Sequence, residues 1–226
     1  MMLFTSIYTM VDGVFVAQFV SVDALSALNI VNPLFSLVMG FGVMLGAGGS
    51  AVIAKNIGEG EEQQAFDNLS TLVFFGTILG LVLMVLLLVF MEPILSLLGA
   101  TEILMPYCKE YCYYIVGFLA PWVLELMFSS YFITAGKPQI GLIATLCSGV
   151  FNIVGDYVLI VVVGMGIRGA ALATGLATCI PVVIALIYFF NKEHSLHFGR
   201  IMNRPRMILK LSLIHISEPT RLLSIS

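Results

Sequence analysis

Long apolar runs broken by short polar stretches dominate the chain. The runs at residues 1–20, 28–54, 69–91, 111–134, 140–163 and 170–190 each match or exceed the roughly 20 residues a helix needs to cross a bilayer. Six spanning helices are therefore predicted, and the fold class is all-α integral membrane. The third run carries no charged residue and is the cleanest. Between the runs lie SVDALS, NIGEGEEQQ, LGATEI, AGKPQ and GMGIRG, all rich in turn residues and read as loops.

Composition sharpens the class. Sixty per cent of residues are apolar and 10% are charged, where a soluble domain has about a quarter charged. The lipid bilayer is thus the expected surrounding. The net charge of -3, with no basic stripe, excludes nucleic acid as a partner.

Basic residues set the orientation, because loops on the cytoplasmic side collect Lys and Arg. With the start of the chain in the cytoplasm, the inner loops hold Lys55, Lys137, Lys192, Arg200, Arg204, Arg206 and Lys210. The outer loops hold Lys109 and Arg168. The polar segment 191–210 is then cytoplasmic, and MILK at its end opens toward a seventh helix.

Several tempting motifs reduce to packing. Gly40, Gly42, Gly46, Gly48 and Gly49 invite a phosphate-loop reading. No strand precedes them and no GK[ST] follows, so they read as a close-packed helix seam. The glycine- and alanine-rich RGAALATGLAT of the last run reads the same way. Cys108, Cys112, Cys147 and Cys179 form no CxxC and read as buried small hydrophobes. His194 and His197 form an HxxH that would need two more ligands to hold a metal.

The ends are unusual. The chain opens in mid-span and lacks the basic n-region and cleavage site of a signal peptide. Leu211 to Arg221 resembles the in-frame translation of a sequencing-library adapter. Two parts are therefore expected: a membrane lobe over residues 1–210, truncated at both ends, and a non-native tail over 211–226, left out of the fold reasoning.

Against this apolar background, three acids stand inside predicted spans: Asp12, Glu125 and Asp156. A carboxylate at mid-helix costs at least about 2.5–3.5 kcal/mol on insertion scales, so it faces protein or water and marks function by default. Asn152 and Asp156, four apart, share one helix face. Together they offer amide and carboxylate oxygens, which suit a hard cation or a shared proton. Tyr8 and Asp12 repeat that spacing. Each pair also suits an interhelical hydrogen-bond clamp. Glu125 follows Pro121 and Trp122 and fits three roles: snorkelling, capping a kink, or facing a cavity. Trp122, Phe128 and Tyr131 fit a core, a lipid contact or a greasy cavity.

YTMVDGVFVAQFVSVDALSALNIVNP resembles the opening of multidrug and toxic compound extrusion (MATE) transporters. So do the later blocks MLGAGGS, AKNIGEGEEQQA, NIVGDYVLI and GMGIRGAALAT, in order and over nearly all of residues 1–210. The resemblance implies the first of two six-helix lobes in a twelve-helix secondary transporter. It implies an antiporter in a bacterial or archaeal plasma membrane, not an enzyme, that exports cationic or amphipathic compounds in exchange for Na+ or H+ and needs no cofactor. The missing C-terminal lobe becomes an expected partner. The family's cation site maps onto Asp12, Asn152, Asp156 and Thr174, with Tyr8 one turn before the first acid; if sodium couples, the first four are its ligands.

A bare carboxylate in a dry cavity is costly, so a proton or Na+ is expected to neutralise Asp12 and Asp156 together. The helices then repack and bias one access state over the other. An alternative of the same general fold is a lipid-linked oligosaccharide flippase. Such a flippase would be expected to hold basic residues in its cavity, and no Lys or Arg lies inside a predicted span. An enzyme would need HExxH, GxSxG or paired DDxxD acids, none of which occurs.

Overall fold

A computed structural model describes residues 2–201, with side chains from Met10 onward. Tyr8 is therefore on a described backbone with its side chain outside the described ones. Residues 202–226, which include Arg204, Arg206, Lys210 and the expected tail, lie outside the description.

Eight α-helices follow one another, with no strand among the described residues. They are α1 (Met2–Phe19), α2 (Val22–Gly58), α3 (Glu62–Val89), α4 (Met91–Leu97), α5 (Met105–Ile115), α6 (Leu119–Thr134), α7 (Pro138–Asp156) and α8 (Ile167–Phe190). A 3-10 turn, Val116–Phe118, joins α5 to α6, and a π-helical segment, Tyr157–Val162, prolongs α7. Among the described residues five segments are long and apolar enough to cross a membrane: α2, α3, α5 with α6, α7 with its π extension, and α8. Six were expected. The first expected span forms α1, but its part with described side chains, Met10–Phe19, is shorter than a crossing.

Helix ends follow local chemistry and shorten the expected loops. SVDALS is not a loop. Ser21 accepts a hydrogen bond from the Ala24 amide at 3.0 Å and Asp23 lies in the first turn, so α2 starts at once. At the far end of α3, Pro93 has no amide to give the Val89 carbonyl, and its ring crowds that carbonyl. The helix stops at Val89 and the unpredicted short α4 begins. Pro121 does the same to Gly117, inside the 3-10 turn. Gly136 adopts φ 69°, which an L side chain disfavours, and Pro138 opens α7 in the first turn, where its missing amide is harmless.

Gly42, Gly46 and Gly49 of the expected seam pack α2 onto α6, whereas Gly40 is exposed and meets nothing. A Cβ at Gly46 would lie 3.0 Å from Ser130 Oγ and 3.1 Å from Met127 Cα. One at Gly49 would lie 2.5 Å from the Tyr131 hydroxyl. From the other side, Gly80 of α3 meets the backbone of Ala120. Helix α6 thus sits between α2 and α3 and also packs on α7 and α8. In lipid this close van der Waals approach replaces the hydrophobic drive between helices. The outward faces stay apolar, as with Phe74, Leu81 and Val85 of α3 or Val150 and Val154 of α7, which suits a lipid surrounding.

Phe128 and Tyr131 are core residues, and Trp122 is half-buried against Phe35, ring centroids 5.2 Å apart. Cys108 and Cys112 are buried as expected, whereas Cys147 is exposed on α7 and Cys179 half-buried. After α8 the chain folds back. The Phe198 amide donates to Phe189 O at 2.9 Å, and Gly199 N to Phe66 O at 3.2 Å. Arg200 N donates to Asp67 Oδ1 at 2.7 Å. His197 lies on the Phe66 ring at 3.9 Å and His194 on Tyr188 at 4.0 Å. The two histidines clasp α8 to the start of α3.

Candidate cation site

Helix α7 puts Ser148, Asn152 and Asp156 on one face, one turn apart, and that face lies against α8. Small residues allow the approach: a Cβ on Gly155 would be 3.1 Å from Ala173 Cβ. Ser148 Oγ donates to Ala177 O at 2.8 Å. One turn on, Asn152 Nδ2 donates to Thr174 Oγ1 at 3.2 Å. A further turn brings Asp156, fully buried at 0% exposure. It is the last residue of α7 before the backbone widens into the π segment, a helix irregularity that recurs at functional sites.

Helix α1 packs against α7 and closes the third side. Its Asp12 carboxyl lies next to that of Asp156. As bare carboxylates neither can donate to the other. From α5, the buried Tyr111 side chain lies near Thr174 and both acids.

Among the described residues, the buried side-chain polar atoms without a partner concentrate here, with the Tyr188 hydroxyl at the far end of α8 the one elsewhere. Asp12 Oδ1, Asn152 Oδ1 and both Asp156 carboxyl oxygens are buried with no donor among the described residues. Each such group costs about 1–3 kcal/mol, more when charged. No described Lys or Arg pairs with either acid. The described cations in ion pairs sit elsewhere, Lys55 with Glu59, Lys109 with Glu92 and Arg168 with Glu110. Four buried acceptor oxygens from three residues, with the Thr174 hydroxyl near Asn152, are ligand atoms of the kind a hard cation takes. A proton held between the two acids satisfies the same atoms.

The structure therefore brings together Asp12, Asn152, Asp156 and Thr174, as the spacing and the resemblance anticipated. It leaves Glu125 apart, on α6 and outside that group of residues. Tyr111 was missed. Its signal was weak: Cys108, Tyr111, Cys112 and Ile115 are buried at helical spacing, which marks an inward face without saying what it meets. HxxH has a structural role here, since His194 Nδ1 pairs with Tyr188 O at 2.8 Å and His197 Nδ1 with His194 O at 3.2 Å.

Comparison with known proteins bears on the same residues. The family model MatE matches residues 1–158. The multidrug export protein MepA of Staphylococcus haemolyticus (strain JCSC1435) is 28% identical over 223 residues, which cover 98% of this chain and 49% of that protein. MepA of Staphylococcus aureus (strain MRSA252) is 27% identical over 225 residues, 99% of this chain and 49% of that one. The chain spans about half the length of the curated relatives it matches. Among solved structures, a MATE in the bent conformation superposes with a TM-score of 0.85 at 20% identity, covering 92% of this chain and 47% of the other. The inward-facing conformation of a multidrug resistance MATE family transporter of the MOP superfamily gives 0.84 at 20% identity, covering 90% and 47%.

Proposed function

The chain belongs to the MatE family, and from that premise we propose that it forms the first lobe of a two-lobed antiporter that exports cationic or amphipathic compounds in exchange for Na+ or H+. One observation carries the reading: the four donor-less buried oxygens of Asp12, Asn152 and Asp156, where α1, α7 and α8 meet. Chance packing does not leave two facing carboxylates without a donor, because each costs too much.

The chemistry follows from the geometry. With both acids ionised, Asp12 and Asp156 repel across the α1–α7 contact. A Na+ ion takes oxygens from both, with the Asn152 carbonyl and the Thr174 hydroxyl completing the set. A proton shared by the acids removes the same repulsion. In either case α1 is drawn onto α7, and release of the ion loosens it. The ion thus binds the two packings unequally, which coupling requires. Helices α7 and α8, joined through Ser148 and Asn152, move as one unit, and α1 moves against them. A second lobe of the same kind would complete the substrate path by alternating access.

The distribution of basic residues supports a cytoplasmic location for the clasp that follows α8. The staphylococcal relatives support a bacterial plasma membrane. The antiporter is favoured over an oligosaccharide flippase by charge: Lys55, Lys109 and Arg168 stand near helix ends in ion pairs, and Lys137, Lys192 and Arg200 lie at or beyond helix ends, so no described base sits at mid-span to meet a pyrophosphate.

Transport by the complete two-lobed protein tests the proposal. Asp156→Asn should abolish ion-driven efflux, with wild-type efflux following an imposed Na+ or pH gradient. Wild-type rates and ion dependence in the variant would overturn it. Which gradient drives the wild type identifies the coupling ion.

A further inference from the structure

Glu125 is the in-span acid that the cation site does not use. It lies on α6, half-buried, one turn from Trp122. No described Lys, Arg or His pairs with it. An ionisable group inside a span is expensive without a counter-charge, and no described ion pair supplies Glu125 with one.

Its surroundings have a definite chemistry. The faces of α6 toward α2 and α3 are filled by residues such as Met127 and Tyr131, and the face toward the end of α8 by Phe128 and Phe132. Trp122 and Glu125 lie one turn apart on α6, and both remain half-buried. The Trp122 ring is held by Phe35 of α2, tilted at 32°. Phe35 in turn packs edge-on against Tyr111, centroids 6.0 Å apart. Tyr111 is the tyrosine that lies near Thr174 of the cation site. An uncompensated carboxylate beside a fixed indole is the pairing that recognises an organic cation, through charge and the face of the ring.

We propose that Glu125 and Trp122 form a binding site for a lipophilic organic cation, separate from the Asp12–Asp156 pair and joined to it by the Phe35–Tyr111 contact. The inference deepens the transport reading, since it names where the exported compound meets this lobe. A neutral or anionic compound of the same size gains nothing from the carboxylate. A small inorganic cation gains little, because the site offers one acid and no ring of oxygens.

Trp122 is the single tryptophan of the chain, so its fluorescence reports on the site directly. The 226-residue chain in nanodiscs is titrated with tetraphenylphosphonium, and with tetraphenylborate as an anion of the same shape. The expected result is saturable quenching by the cation alone. Glu125→Gln should weaken it by about tenfold or more, the loss of one favourable cation contact. Glu125→Asp, which keeps the charge, should retain most of it and so separate loss of the carboxylate from damage to the fold. Asp156→Asn should leave it in place.

Equal quenching by the anion, no saturable quenching in the wild type, or an unaltered Glu125→Gln titration overturns the proposal. Equal loss in Asp156→Asn assigns the cation to the acid pair and also overturns it. If instead Glu125→Gln alone loses the cation while Asp156→Asn keeps normal ion-driven efflux in the two-lobed protein, the binding site stands and the ion-coupling reading falls.

Discussion

The α2–α6 seam and the α7–α8 seam bury polar groups to a similar degree and treat them in opposite ways. In the first, Tyr131 is fully buried and its hydroxyl donates to Leu45 O at 3.3 Å. Ser50 and Thr134 hydroxyls meet at 2.5 Å. In the second, Asp156 is just as buried, yet both its carboxyl oxygens lack donors. Both seams use small residues to bring backbones together. Small residues alone therefore do not mark function. The difference lies in whether the polar atoms are satisfied from within the protein: a satisfied seam only holds helices, whereas on the reading proposed above the unsatisfied one also takes an ion.

Substitutions can break that contrast, starting with the largest effect. Gly80→Val places a side chain against the backbone of Ala120, which cannot give way as a flexible side chain does. Overpacking of this kind costs about 1–3 kcal/mol or more. The expected outcome is loss of the monodisperse peak on size exclusion in detergent and a clear fall in melting temperature. A variant that melts like the wild type would show that α6 is not wedged between α2 and α3. Tyr131→Phe is milder. It removes one satisfied hydrogen bond and leaves the Leu45 carbonyl without that donor, for a loss of about 1 kcal/mol. The melting temperature should fall slightly, and the response to ions should stay intact. An altered ion response would mean that the first seam takes part in coupling.

Much of this was legible in the sequence, for physical reasons that also explain the gaps. Hydropathy located the spans from 28–54 onward because lipid demands about 20 apolar residues whatever the tertiary contacts. It misjudged their ends, since α2 begins at Val22 and α3 at Glu62, where capping and charge decide. Asp156 and Asn152 stood out because a polar pair four apart inside an apolar run has few innocent readings. Thr174 came only through resemblance, as one hydroxyl in an alanine-rich helix carries no signal of its own. Tyr111 needed the structure, because its partner lies on a helix more than sixty residues away, as the numbering of Thr174 shows. The π segment after Asp156 is equally unreadable from YVLIVV, which would sit well in an ordinary helix.

The central claim is that the oxygens of Asp12, Asn152 and Asp156 are unsatisfied because they await a cation or a proton. It is tested most directly by the melting temperature of the purified chain at rising Na+ and at falling pH, in wild type and in Asp156→Asn. A ligand that binds the folded state raises stability by mass action. The wild type should therefore melt higher as Na+ rises or as pH falls. Asp156→Asn should start at least as stable in the absence of Na+ at high pH, because one buried charge is gone, and should lose the response to either ion. A wild type indifferent to both ions, or a variant that responds as the wild type does, would contradict the account.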